Sequence, residues 1–115
     1  MTGTTCDLSS QHCKPCEGGV ASLSASAVAQ ELETLDPDWS ANESATAISR
    51  EFRFRGFNKT LSFVNALGWI ANREAHHPDL AVGYDYCVVT LTTHAIDGLT
   101  ENDFIVAARI DQLTA

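Results

Sequence analysis

No apolar run in this chain approaches the roughly 20 residues that a membrane-spanning helix requires, so nothing in it reads as a transmembrane segment. Basic residues are also scarce. Seven Lys and Arg stand against fifteen Asp and Glu, a formal net charge of −8. Binding a phosphate backbone needs a basic face, which excludes nucleic acid as the expected partner. The N-terminus, Met1-Thr2-Gly3-Thr4-Thr5, lacks the basic and apolar regions of a signal peptide. The expectation is a cytoplasmic protein whose four cysteines stay reduced. A Gly-x-Ser-x-Gly turn, an internal repeat and a linker are all missing. What remains is 115 residues, 44% apolar and 19% charged, enough for one globular domain with a single core.

Residues 1–21 are small and polar, include Gly18-Gly19 and carry no periodicity. They predict a loosely ordered, flexible arm ahead of one domain at 22–115. Within the arm, His12-Cys13-Lys14-Pro15-Cys16 sets two thiols two residues apart, with Cys6 upstream. Cys6, His12, Cys13 and Cys16 are conceivable zinc ligands, but the second thiol pair of a zinc ribbon is missing. A flexible tail with reduced thiols is the expectation. No strand precedes the motif, which disfavours a thioredoxin-like redox role.

The first helix should start at an N-cap Ser24, with Leu23 and Val28 as its hydrophobic staple and Val28, Leu32 and Leu35 at helical spacing before Asp36-Pro37. Trp39 to Glu43 reads as a short extended segment, with turn chemistry at Asn42-Glu43-Ser44. From Thr46 to Phe54 the period is two. Ile48, Phe52 and Phe54 fall on one side, which Arg50 interrupts. Asn58 is the expected N-cap of a second helix reaching about Ala75, with Phe63 and Trp69 assigned to the core. Leu80, Val82 and Tyr84 alternate with Asp79, Ala81 and Gly83, and Cys87 to Thr93 is the most strand-like run. Thr100 and Asp103 form a capping box for the last helix, stapled by Leu99 and Phe104. The order αββαββα predicts an α+β fold, a four-stranded antiparallel sheet with three helices packed on one face.

Three of the four histidines, His76, His77 and His94, are drawn together by this order at one rim of the sheet. His76 and His77 precede a proline, which marks a helix end, and His94 ends a strand-type run. Three histidines can bind a catalytic zinc, but adjacent His76 and His77 should point to opposite sides of an extended segment. Cys87 sits mid-strand and reads as core, so no nucleophile stands beside a base. Metal-free acid–base chemistry on a small polar heterocycle fits best, one imidazole protonating a leaving hydroxyl while another takes a proton from a ring nitrogen.

Glu74-x-His76-His77-Pro78, a strand ending Thr93-His94, and Gly98-Leu99-Thr100-x-x-Asp103 together resemble the pterin-4a-carbinolamine dehydratases. The likeness extends through Pro37-Asp38-Trp39, Phe52-x-Phe54 and the helix from Phe57 to Ala75, and covers about residues 22 to 113. It implies the same fold, with the sheet joined across subunits into a homodimer or homotetramer. It implies dehydration of 4a-hydroxytetrahydropterin to quinonoid dihydropterin, without a cofactor, in recycling for an aromatic amino acid hydroxylase. By the same likeness His76 and His94 are general acid and base, and His77 holds the pterin. Ala75, Thr92, Thr93 and Ala95 line the pterin pocket. Asp103 either orients an imidazole or serves only the capping box. The chain departs from common members at Tyr84, where tryptophan is frequent, and at Asp97, where a second glycine is frequent. Some proteins of this likeness are partners or assembly factors of larger enzymes or transcription factors, so a binding module is the rival expectation.

Overall fold

The computed structural model describes residues 8–11, 13 and 21–115. Its elements are α1 (Ala25–Leu32), β1 (Ser40–Ala41), β2 (Ile48–Arg53), α2 (Phe57–Glu74), β3 (Asp79–Val82), β4 (Tyr86–Leu91) and α3 (Glu101–Asp111). The strands form one antiparallel sheet in the order β1-β2-β4-β3, so β4, the most strand-like run, lies inside and β3 is an edge. Side chains alternate along β4: Cys87, Val89 and Leu91 are fully buried, while Tyr86, Val88 and Thr90 are half-buried on the other face. The core joins that buried face to Val28, Leu67, Phe104, Val106 and Ile110. The α+β arrangement is the expected one.

Local signals explain most boundaries. The Ser24 hydroxyl accepts the Ala27 N–H (3.2 Å), and Val28 behind it is buried. In the β1–β2 turn, Asn42 Oδ1 accepts the N–H groups of Thr46 (2.8 Å) and Ala47 (3.1 Å). Thr100 and Asp103 make the reciprocal capping box, and the staple residues Leu99 and Phe104 are fully buried.

Other expectations change. The extended segment at Trp39 to Glu43 contracts to Ser40–Ala41, because Trp39 turns inward and its indole Nε1 donates to Asp111 Oδ1 (2.8 Å). Strand β3 stops at Val82, and Gly83 and Tyr84 belong to the turn into β4. The second helix is capped by Gly56, not Asn58. Gly56 has φ of 129°, a conformation open to glycine, and the Thr60 hydroxyl donates to its carbonyl (3.0 Å). Phe63 is core, but Trp69 is 64% exposed; it shares α2 with the buried Leu67 yet faces outward. Residues 8–11 and 13, expected in a loose arm, are docked. Leu8–Ser10 form a 3-10 turn, Ser9 is buried, and Leu8 and Cys13 pack against the core.

Arg50 lies on the helix-facing side of β2, where an apolar residue would be ordinary. Its guanidinium meets Asp111 at the end of α3 (2.7 Å) and Asp36 (3.5 Å), and lies 4.2 Å from the centre of the Phe52 ring. A buried cation is tolerable only with such partners. The carboxylate of Asp111 therefore joins α3, Trp39 and β2.

Candidate active site

Helix α2 ends where the histidines begin. Ala75 takes the left-handed conformation (φ 52°, ψ 38°), its N–H bonds the Asn72 carbonyl (3.3 Å) and the His76 N–H bonds that of Ala71 (3.1 Å). This pair of bonds is a Schellman ending, usually built on glycine. It turns His76 off the helix axis toward the start of α3.

There His76 Nε2 lies 2.6 Å from Asp103 Oδ1. The other oxygen of Asp103 accepts the Thr93 hydroxyl (2.8 Å) and the Thr100 N–H (3.0 Å), and Asp103 is fully buried. With its single proton on Asp103, the Thr93 hydroxyl accepts from that of Thr100 (2.9 Å). A proton on Nε2 of His76 would satisfy this contact and leave Nδ1 as the other ring nitrogen. Asp103 thus closes the capping box and also lies within hydrogen-bonding distance of the His76 imidazole.

Beyond β4 the chain runs through Thr92 and Thr93 into a 3-10 turn at His94–Ile96. Thr93 bridges back to Gly98, and Asp97 closes the turn with φ of 50°. Asp97 occupies a left-handed position of the kind glycine favours, and aspartate is among the few other residues that tolerate it. His94 is exposed, 3.8 Å from the equally exposed Asp79. A contact that open and that long is worth little. His77 is also exposed, with Nε2 3.3 Å from Asn72 Oδ1.

These elements enclose a cleft of about 540 Å³. Ala75, His76, His77, Thr92, Thr93, His94 and Ala95 all border this one cleft. His76 and His77 take different polar partners, as neighbours in an extended segment should, yet both border the cleft. Asp103 stands behind His76 and Thr93. Cys13, Arg73, Glu74 and Asn102 complete the lining and were not foreseen there. Glu74 and Asn102 fall inside the quoted motifs, which was the available signal. Nothing in the sequence tied Cys13 to this rim.

Among the described residues, no three His, Cys, Asp or Glu side chains are grouped to hold one metal ion. Of the conceivable zinc set, Cys6, His12 and Cys16 lie outside the described residues. Cys13 is at the cleft, its Sγ 3.6 Å from the Asn102 carbonyl oxygen. No helix among the described residues is long and apolar enough to cross a membrane. Chemically, the cleft offers three imidazoles from two chain segments, His76 against a buried carboxylate and His77 and His94 open to solvent, beside hydroxyl and backbone groups.

The family model for pterin 4 alpha carbinolamine dehydratase matches residues 21–113. A Legionella pneumophila (strain Corby) protein bearing the provisional name pterin-4-alpha-carbinolamine dehydratase is 52% identical over 109 residues, 95% of this chain and 96% of its own. A Nitrosomonas europaea protein of the same provisional name is 49% identical, covering 94% of each chain. Among solved structures, a transcriptional coactivator/pterin dehydratase from Brucella melitensis superposes with a TM-score of 0.78 at 29% identity, covering 83% of this chain and all of that one. A pterin dehydratase-like protein identified as a RuBisCO assembly factor in the alpha-carboxysome gives 0.60 at 25% identity, over 68% of this chain and 90% of its own.

Proposed function

The chain belongs to the pterin-4a-carbinolamine dehydratase family, and from that premise we propose that it dehydrates 4a-hydroxytetrahydropterin to quinonoid dihydropterin. The observation that carries this reading is the pairing of His76 and His94 across one cleft, with His76 held by Asp103. In the reaction the bond from C4a to the hydroxyl oxygen breaks. One imidazolium gives its proton to that oxygen, which leaves as water, and the other imidazole takes the proton from the ring nitrogen N5. The two histidines share these roles. Proton transfer by a positioned side chain supplies about 10²–10⁴-fold, enough for an elimination that proceeds slowly unaided. Asp103 fixes which nitrogen of His76 faces the reaction. His77 and the Thr92-Thr93-His94-Ala95 segment hold the pterin, and no metal or other cofactor takes part.

The setting is recycling of tetrahydropterin for an aromatic amino acid hydroxylase, in the cytoplasm. A homodimer or homotetramer is the expected state. The edge strand β3 supports this, since Leu80 and Val82 on it are exposed, as is Trp69.

A second reading has some support, because the two solved structures include a coactivator and an assembly factor by name. On that reading the fold binds protein and the cleft is idle. Dehydration of freshly generated 4a-hydroxytetrahydropterin, followed by absorbance, separates the two. Wild type should accelerate it, and a His76→Ala/His94→Ala protein of native circular dichroism should fall to the uncatalysed rate. Full activity in the double variant would remove the catalytic assignment. Failure of both proteins to exceed the uncatalysed rate would favour the binding module.

A further inference from the structure

One wall of the cleft lies outside the family match, which begins at residue 21. It is Cys13, and the chain around it is anchored at several points. The Cys13 N–H donates to Glu74 Oε1 (2.7 Å). The guanidinium of Arg109 closes on the Gln11 carbonyl through Nε (3.0 Å) and Nη2 (2.6 Å). Gln112 Nε2 donates to Ser9 Oγ (2.7 Å). Glu74 and Arg109 face one another at 3.7 Å, and the Glu74 side chain is 1% exposed. A carboxylate this deep requires partners, and these come from α3 and from the N-terminal segment. Glu74 is the last residue of α2, two before His76, so the group that anchors the segment is continuous with the site.

We propose that this segment is a substrate-holding wall, with Cys13 touching the heteroaromatic substrate and the Glu74–Arg109 pair as positioning residues. The inference rests on the pterin reading above. A thiol is small, polarizable and a weak hydrogen-bond donor, which suits it to lie against a flat ring. Arg109 does not line the cleft. Its replacement therefore acts on substrate only through the wall and through its partner Glu74, which does line the cleft.

The test uses the full chain with Cys6→Ser and Cys16→Ser, which leaves Cys13 and Cys87 as the thiols. Cys87 is fully buried, and burial pushes its thiol up, so it stays unreactive. Iodoacetamide labelling of Cys13 is timed by mass spectrometry with and without 7,8-dihydropterin, beside the dehydration assay. At a ligand concentration ten times Kd, labelling should slow about tenfold. In a folded Arg109→Met protein the protection should fall away, and KM should rise about tenfold with kcat little changed, the mark of lost uniform binding. Accelerated dehydration with no protection of Cys13 overturns the wall and leaves the dehydratase reading standing. Protection without dehydration upholds the wall and removes that reading. Neither effect overturns both, and unchanged KM in folded Arg109→Met overturns the part given to Arg109. If that variant does not fold, labelling of the Arg109 protein still decides.

Discussion

Asp103 serves two structures with one carboxylate. Its local role, closing the capping box with Thr100, could be read from four consecutive residues. Its contact with an imidazole came only as one of two alternatives implied by the family resemblance, since His76 lies 27 residues away and meets it through the Schellman turn at Ala75. The separation is greater still for Cys13, whose neighbours Glu74 and Asn102 are 61 and 89 residues distant. Spacing rules see the near partner and miss the far one. Asparagine at 103 would keep the shape but offer one acceptor oxygen where the carboxylate receives three donors. We expect Asp103→Asn to lose about 2–3 kcal/mol of stability in urea unfolding, the scale of hydrogen bonds to a buried charge. Dehydration should drop at least about tenfold, as when a group that orients a reactive histidine is lost. Nitrogen NMR of the His76 ring should show the tautomer released; an unchanged tautomer would contradict the orienting role.

Among the elements, the type and start of α1, α3 and β4 were legible because their determinants are local (caps, staples and an alternating apolar run), although α1 ends at Leu32, short of Leu35, and β4 at Leu91, short of Thr93. The start of α2 was not, because the backbone angle at Gly56 outweighs the better side-chain cap that Asn58 offers. Trp69 was misassigned for a different reason. A broad apolar helix face reads as core, and sequence does not say which part of it meets the sheet and which is left outside. Contact between elements also sets a pH dependence. The Glu31 carboxyl on α1 is raised above its usual 4.5, first by burial and then by the Glu101 carboxylate at the start of α3. A raised value means that the folded state holds the proton more tightly than the unfolded one. The associated stability is full below the unfolded value and is lost as pH rises through the folded one. Glu31→Gln should therefore raise Tm at pH 7, with the difference vanishing near about pH 4. A constant difference across that range would contradict the assignment.

At the scale of the whole molecule, the sheet has an edge that needs covering. All four residues of β3 are exposed, and none is Lys or Pro, the usual guards of a free strand. Leu80 and Val82 pair with Val89 and Cys87, so they continue the buried face of β4 out to the rim. If a second copy of this chain covers it, as proposed above, Val82→Lys should shift the mass in light scattering from oligomer toward monomer. An unchanged mass would place the interface elsewhere. The fold class was legible at this scale because element order and apolar period constrain layering. Which rim stays open was not, because that depends on strand order, which comes from pairing between distant segments.

Arg50 bears on the choice among misaligned versions of this same sheet. If β2 slid by one residue against β4, Arg50 would swing to the outer face and Ser49 and Glu51 would turn toward the helices. Asp111 and the Trp39 indole would be left facing one another without their cation. A buried ion pair adds little when made, but a buried charge that loses its partner costs about 3–5 kcal/mol. An apolar residue at 50 would pack in the aligned sheet and penalise the slipped one far less. The lone cation on the inner face thus serves as a registration pin, acting chiefly against wrong pairings.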